Sequence, residues 1–295
     1  MSRVHLLVVL LCSVASTQSA SSAEFFVDPV RGDMSNDGSS KRPWRSIQAI
    51  FDQGFVESRH WAQLPYRDGC TLKPKNPGAP VRAGDTIYLR NGYQGALDIR
   101  GYYNSDAITI AAEKGHTPKL ARIRIRSGSH WILRGLHISP ESVDSHKSGT
   151  LIDLDSHGFH GPIHDVTVEN NVIITDHFHG ITLSGARNCR IINNTVIDLN
   201  DGRPGPPWIR IGPHKNGTPS SGCVIRNNLT SSLNLSDGVT VDHNLIIKDP
   251  TALFVDVSAN DLRLRPDAEA IDAGSPERSP MRDAAGTTRP QAVSY

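Results

Sequence analysis

Val166-Thr-Val-Glu-Asn-Asn-Val-Ile decides the fold, because three later segments repeat its design: Arg190-Ile-Ile-Asn-Asn-Thr-Val-Ile, Val224-Ile-Arg-Asn-Asn-Leu and Val239-Thr-Val-Asp-His-Asn-Leu-Ile. Each is a β-rich run ending at a polar pair whose second member is asparagine: Asn171, Asn194, Asn228 and Asn244. The intervals between these asparagines are uneven. Core positions recur while connections vary, which suits a parallel β-helix whose coils keep their strands and absorb insertions in the turns. Asparagines stacked at one turn can hydrogen-bond along the axis and to adjacent backbone, satisfying polar groups at a buried bend. Their expected role is therefore structural. Upstream, Trp131-Ile-Leu-Arg-Gly-Leu-His-Ile puts Gly135 in the asparagine place, and Ala107-Ile-Thr-Ile and Asp85-Thr-Ile-Tyr-Leu-Arg add further coils. The expected fold is all-β, a single-stranded right-handed parallel β-helix of about seven to nine coils.

A second alignment places the chemistry. Leu97-Asp-Ile-Arg, Ile123-Arg-Ile-Arg, Ile152-Asp-Leu-Asp, Ile181-Thr-Leu-Ser, Ile209-Arg-Ile-Gly and Leu233-Asn-Leu-Ser all alternate apolar with polar or small residues. Period-two alternation sends one set into the core and the other onto the outer face of a single sheet, with coils about 4.8 Å apart. Two outer columns result: Asp98, Arg124, Asp153, Thr182, Arg210, Asn234 and Arg100, Arg126, Asp155, Ser184, Gly212, Ser236. The longest connections leaving this edge carry His157, His160, His164, His214 and Lys215, while His177 and His179 precede the Ile181 strand. Six of the thirteen histidines thus fall between positions 157 and 214. A solvated sheet with charges paired between coils accounts for Arg124 and Arg126 beside Asp153 and Asp155, but not for the histidines gathered at one edge.

The ends have their own signatures. Ser46 to Gln53 is a short apolar-periodic segment that predicts an N-terminal capping helix. Residues 60 to 82, rich in Pro, Gly and Lys, read as an excursion loop, and residues 276–295 as a surface or disordered tail. Residues 1–23 combine Arg3, an apolar run from Leu6 to Val14 and the small residues Ser19 to Ala23. That pattern predicts a signal peptide, a β-helix domain over 24–275, and a secreted or periplasmic protein. No later segment approaches the roughly 18 apolar residues of a transmembrane helix. A net charge of +1 argues against a broad nucleic-acid surface. Cys70, Cys189 and Cys223 are too few for a disulfide scaffold and lack zinc spacing. Cys189 and Cys223 each stand five residues before a repeated asparagine, which predicts stacked free thiols.

Phe26-Val-Asp-Pro, Asn36-Asp-Gly-Ser, Arg42-Pro-Trp, Gly84-Asp-Thr-Ile-Tyr-Leu-Arg-Asn-Gly-Tyr and Ala270-Ile-Asp-Ala-Gly-Ser resemble the start, first coil and end of the pectate-lyase-like β-helix superfamily, the pectin-lyase-like solenoids. The resemblance covers roughly residues 25 to 275 and implies one of several activities: polysaccharide lyase, uronan C5-epimerase, glycosidase or phage tail-spike. Gly212-Pro-His-Lys is similar to the Asp-Pro-His-Asp motif of alginate C5-epimerases only at Pro213 and His214. Pectate lyases of this fold bind calcium through several aspartates, of which Asp153 and Asp155 supply two; calcium is the cofactor to consider, and no metal ligands are assigned.

The outer face offers what uronate chemistry requires. Taking the proton beside a sugar carboxylate needs neutralisation of that carboxylate, a base, and an acid for the leaving oxygen. Arg210 is expected to hold the carboxylate, His214 or Lys215 to take the proton, and His179 or Asp153 to serve the leaving oxygen. Arg124, Arg126, Asp153, Asp155, Thr182, His157 and His177 are expected to line the substrate. The expected function is a lyase acting on an acidic polysaccharide, in a monomer with no nucleic-acid or membrane partner. Epimerase, glycoside hydrolase and non-catalytic carbohydrate binder are the alternatives, a hydrolase needing two carboxylates across the scissile bond.

Overall fold

In a computed structural model, residues 22–140, 149–156, 158–175, 177, 179–198 and 208–277 are described. Nearly all of the expected signal peptide, His157 and the chain after Glu277 lie outside them.

The chain winds as a right-handed parallel β-helix. The first sheet stacks the opening halves of Ala96–Ala112 and Arg122–Arg134, then Ile152–Asp155, His179–Ser184, Trp208–Gly212 and Ser232–Leu235. The second stacks Glu24–Val27, Thr86–Leu89, the closing halves of the same two long strands, Ile163–Glu169, Arg190–Ile192, Val224–Arg226 and Thr240–Asp242. Because the two long strands run through the corner, these two sheets are continuous. The third has seven strands, from Gly92–Tyr93 to Leu245–Ile246. The apolar set of the first sheet, Leu97, Ile99, Ile123, Ile125, Ile152, Leu154, Ile181, Leu183, Ile209 and Ile211, is buried in the central core.

The repeated asparagines stand in one axial row. Leu136 N donates to Asn171 Oδ1 (2.9 Å), Asn171 N to Asn194 Oδ1 (3.0 Å), Asn194 N to Asn228 Oδ1 (2.9 Å) and Asn228 N to Asn244 Oδ1 (3.0 Å). The preceding position turns the chain. Gly135, Asn170, Asn193, Asn227 and His243 all have φ between +51 and +69, a left-handed conformation that glycine adopts freely and that Asn, Asp and His tolerate better than most residues. Cys189 and Cys223 are buried free thiols on adjacent coils.

Both ends are covered. The Ile47–Asp52 helix starts at Ser46, whose hydroxyl accepts from Ala49 N, and buries Ile47, Ile50 and Phe51 against the stack. At the other end Pro250–Leu253 forms a second short helix, followed by an antiparallel ribbon of Phe254–Asp256 and Asp261–Leu264. Neither was expected, since neither follows the coil repeat. The expected loop over 60–82 also needs correction: Ser58–Trp61 and Leu72–Lys75 pair as an antiparallel ribbon, held beside the first sheet by Lys75.

Candidate functional site

The strand register builds both outer columns as the alternation requires. Asp98, Arg124, Asp153, Thr182, Arg210 and Asn234 are successive partners across the first sheet, and Arg100, Arg126, Asp155, Ser184 and Gly212 form the adjacent column. Ser236 follows, its N–H donating to Ile211 O. Charges at the N-terminal end pair off: Arg100 grips Asp98 through two hydrogen bonds, and Arg124 Nε donates to Asp153 Oδ2 (3.0 Å). Burial nevertheless pushes the Asp153 carboxyl above its ordinary value, against the pull of Arg124 and with help from the Asp155 charge.

Two guanidinium groups have no such partner. Among the described residues neither Arg126 nor Arg210 is in an ion pair, and Arg126 Nε is buried without a hydrogen bond. The guanidinium of Arg210 lies over Gly212, where an added Cβ would come within 3.2 Å of Nη2. Glycine in that column is what lets it fold down. Thr182 Oγ1, in the nearer to Arg210 of the two coils between, is also buried with no hydrogen-bond partner.

His214 sits differently from its expected place above the face. A tight turn, with His214 N donating to Thr218 O and Gly217 N to His214 O, brings its ring in until the side chain is only 8 % exposed. Gly185, at φ +66, makes the approach possible, because a Cβ there would stand 3.1 Å from the His214 Cβ. His214 Nδ1 accepts from Asn216 N (3.2 Å), so Nε2 carries the proton; it lies 3.1 Å from Asp155 Oδ1, an ion-pair distance, while Asp155 Oδ1 itself is buried without a hydrogen bond. The histidine therefore stands beside a carboxylate of the outer face. Lys215, next to it, is exposed.

His179 opens the fourth strand of the sheet, and its Nδ1 accepts from the Trp208 indole (2.8 Å). Burial, then His177 and Arg210, hold its pKa below the ordinary value. His177 Nδ1 accepts from His179 N (3.1 Å). Of the expected histidines, His179 thus lies near Arg210, and His177 packs against His179. His160 and His164 stand at the other side of the sheet corner, toward the ribbon, and are not brought to Arg210.

The ribbon supplies a group that its sequence concealed. Lys75 Nζ lies 3.5 Å from the centre of the Tyr102 ring and donates to Arg100 O (2.9 Å) and Gly101 O (3.1 Å). Burial lowers its pKa to about 8. It closes a cavity of about 100 Å³ lined by His60, Trp61, Leu64, Arg100, Gly101 and His160. As for cations, the Asp153 carboxylate is engaged by Arg124 and that of Asp155 lies against His214, and the columns add only Asp98, itself held by Arg100. Among the described residues, the side chains that converge within reach of one ion are His130, His164 and Asp165.

No protein-family model matches the chain, and no curated protein is similar to it in sequence. Two solved structures to which the chain is similar are a rhamnogalacturonan lyase (17 % identity, TM-score 0.40, 75 % of this chain) and a GH136 lacto-N-biosidase from Eubacterium ramulus (14 % identity, TM-score 0.31, 73 % of this chain). The chain spans 56 % of the first and 34 % of the second.

Proposed function

We propose that the outer face of the first sheet binds an acidic polysaccharide and cleaves it by β-elimination. The observation that carries this reading is that, in the two outer columns, Arg126 and Arg210 have no ion-pair partner among the described residues, whereas Arg100 and Arg124 are neutralised by Asp98 and Asp153. They stand three strands apart, about 14 Å along the axis, which suits an extended polyanion better than a single sugar. Export through the expected signal peptide would bring the protein to such polymers outside the cell.

In this scheme Arg126 neutralises the carboxylate of the reacting uronate and so acidifies the adjacent C5 proton. Asp155, one strand away in the same column and 3.1 Å from His214 Nε2, accepts that proton. The C4–O bond breaks as the C4–C5 double bond forms, and Asp153, whose carboxyl burial favours the protonated form, gives its proton to the leaving oxygen. Arg210, Lys215 and the neutral His179 bind the substrate farther along the stack. His214 becomes a positioning residue rather than the base.

Hydrolysis is the second reading, favoured by one observation: Asp153 and Asp155 are neighbouring carboxylates in contrasting environments, the arrangement that separates an acid from a base. Incubating the protein with a panel of uronic-acid polymers, with and without calcium, separates the two. Ultraviolet absorbance of an unsaturated product supports elimination. New reducing ends without that absorbance establish hydrolysis, and neither signal with retained binding makes the face a recognition surface.

A further inference from the structure

The corner between the first and second sheets repeats a left-handed position in successive coils. His164 pairs in register with Ser129 on one side and with Arg187 on the other. The residues that follow are His130, Asp165 and Asn188, at φ +57, +54 and +52, and Gly222, at φ +64, extends the row. Asn and Gly are what such a turn ordinarily selects. At its N-terminal end the same row instead carries a histidine and an aspartate on adjacent coils, with His164 beside them.

Those three side chains converge. One ligand atom from each of His130, His164 and Asp165 lies within 4.8 Å of the others. His164 Nδ1 and Asp165 Oδ2 are 2.7 Å apart, and the two imidazole rings meet edge to face with centroids separated by 6.0 Å. His130 Nδ1 is buried with no hydrogen-bond partner, so one nitrogen of the cluster is desolvated and unsatisfied. The opposite side is open, with the His164 and Asp165 side chains 30 % and 37 % exposed.

The geometry points to a divalent metal site formed by His130, His164 and Asp165. An ion there replaces the proton shared by His164 and Asp165 and takes one nitrogen of His130 as its third protein ligand. Two imidazoles and one carboxylate select a borderline transition ion such as zinc over calcium or magnesium, which prefer oxygen ligands. Three protein ligands with an open side leave a position for water or an anionic ligand. The site is separate from the Asp153–Asp155 face, although the strand that carries Arg126 also carries His130.

The test is a titration of the full chain, stripped with a chelator, with Zn2+ alone, followed calorimetrically, and with Co2+, followed by its visible absorption. One equivalent of either ion per chain is expected, with Co2+ bands of nitrogen and oxygen ligation. His130→Asn and Asp165→Asn keep residue types that tolerate the left-handed turn, as Asn188 does in the same row, so both should retain the metal-free circular dichroism of the parent. Each should weaken binding by at least about tenfold, the loss seen even when groups outside the ligand set are changed. Absence of stoichiometric binding by the parent chain overturns the site. Binding that survives both substitutions but is lost in His177→Ala also overturns it, by placing the ion at the His177–His179 pair.

Discussion

At the residue scale, the proton inventory of the outer face is set by burial and by who donates to whom. Trp208 gives its indole N–H to His179 Nδ1, and burial, His177 and Arg210 all oppose protonation there. The folded pKa therefore lies below 6.5, and between the two values the unfolded chain holds more protons than the folded one. Stability from this group is complete above the unfolded value and falls as pH drops through the window. Trp208→Phe removes the hydrogen bond, so His179 should titrate closer to its ordinary value by NMR, with about 1 kcal/mol of stability lost. An unmoved titration would show that the indole has no part in keeping His179 neutral. Asp153 carries the opposite sign: its folded pKa is raised, the folded state holds the extra proton, and stability declines as pH rises from 3.8 through the folded value. If Asp153 is the proton donor, kcat/KM should fall over that same upper limb, and Asp153→Asn should lose turnover while flattening the stability slope. An active Asp153→Asn enzyme would remove it from the reaction. His214→Ala should lower kcat far more than it raises KM, because the group it positions is the proton acceptor and not the polymer anchor.

At the element scale, the asparagine row fastens each coil to the next. Asn194 Oδ1 accepts from both Asn171 N and Asn171 Nδ2, while its own Nδ2 donates to Val168 O, Ile192 O and Asn228 Oδ1. Asn194→Ala strands several buried groups at once, and about 1–3 kcal/mol for each unsatisfied group makes a total loss near 3 kcal/mol the expected result in denaturant unfolding. Asn244→Ala, at the solvated end of the row, should lose about 1 kcal/mol. Equal losses would mean that the row is not cooperative. This row was legible in the sequence because one residue type marks one register position in every coil, and the outer columns were legible because period-two alternation admits only one face. The ribbon of Ser58–Trp61 and Leu72–Lys75 was not, since an excursion obeys no repeat and its Pro, Gly and Lys content resembles that of a loop. The inward turn of His214 depended on the lack of a side chain at Gly185, a coil away. The His130, His164 and Asp165 cluster was hidden for a related reason: its row changes residue type from coil to coil, so nothing in the sequence shows that these positions are stacked.

At the scale of the whole molecule, a stack of coils has two open ends, and each is an exposed core flanked by unpaired strand edges that invite pairing with another chain. The Ile47–Asp52 helix closes the first, with Phe51 packed at 5.3 Å from the Tyr102 ring and 5.7 Å from the Trp131 ring. Phe51→Ala should cost about 3–5 kcal/mol, measured by thermal or denaturant unfolding. The second end is closed by chain that returns over it. Leu253, Phe254 and Ala268 bury Ile174, Ile197 and Ile247 in a separate cluster, and Ser275 and Glu277 are tied back to Asn227 and Arg226. A chain ending at Asp249 keeps every strand of the first and second sheets but uncovers that cluster, beside the last strand of the third sheet, Leu245–Ile246. It is expected to associate end to end, giving a mass that rises with concentration in light scattering, whereas a chain ending at Glu277 stays at the mass of one copy. If the shorter chain is monodisperse and unfolds at the same denaturant concentration as the longer one, the returning segment is not a cap, and the protection of that end must come from the coils themselves.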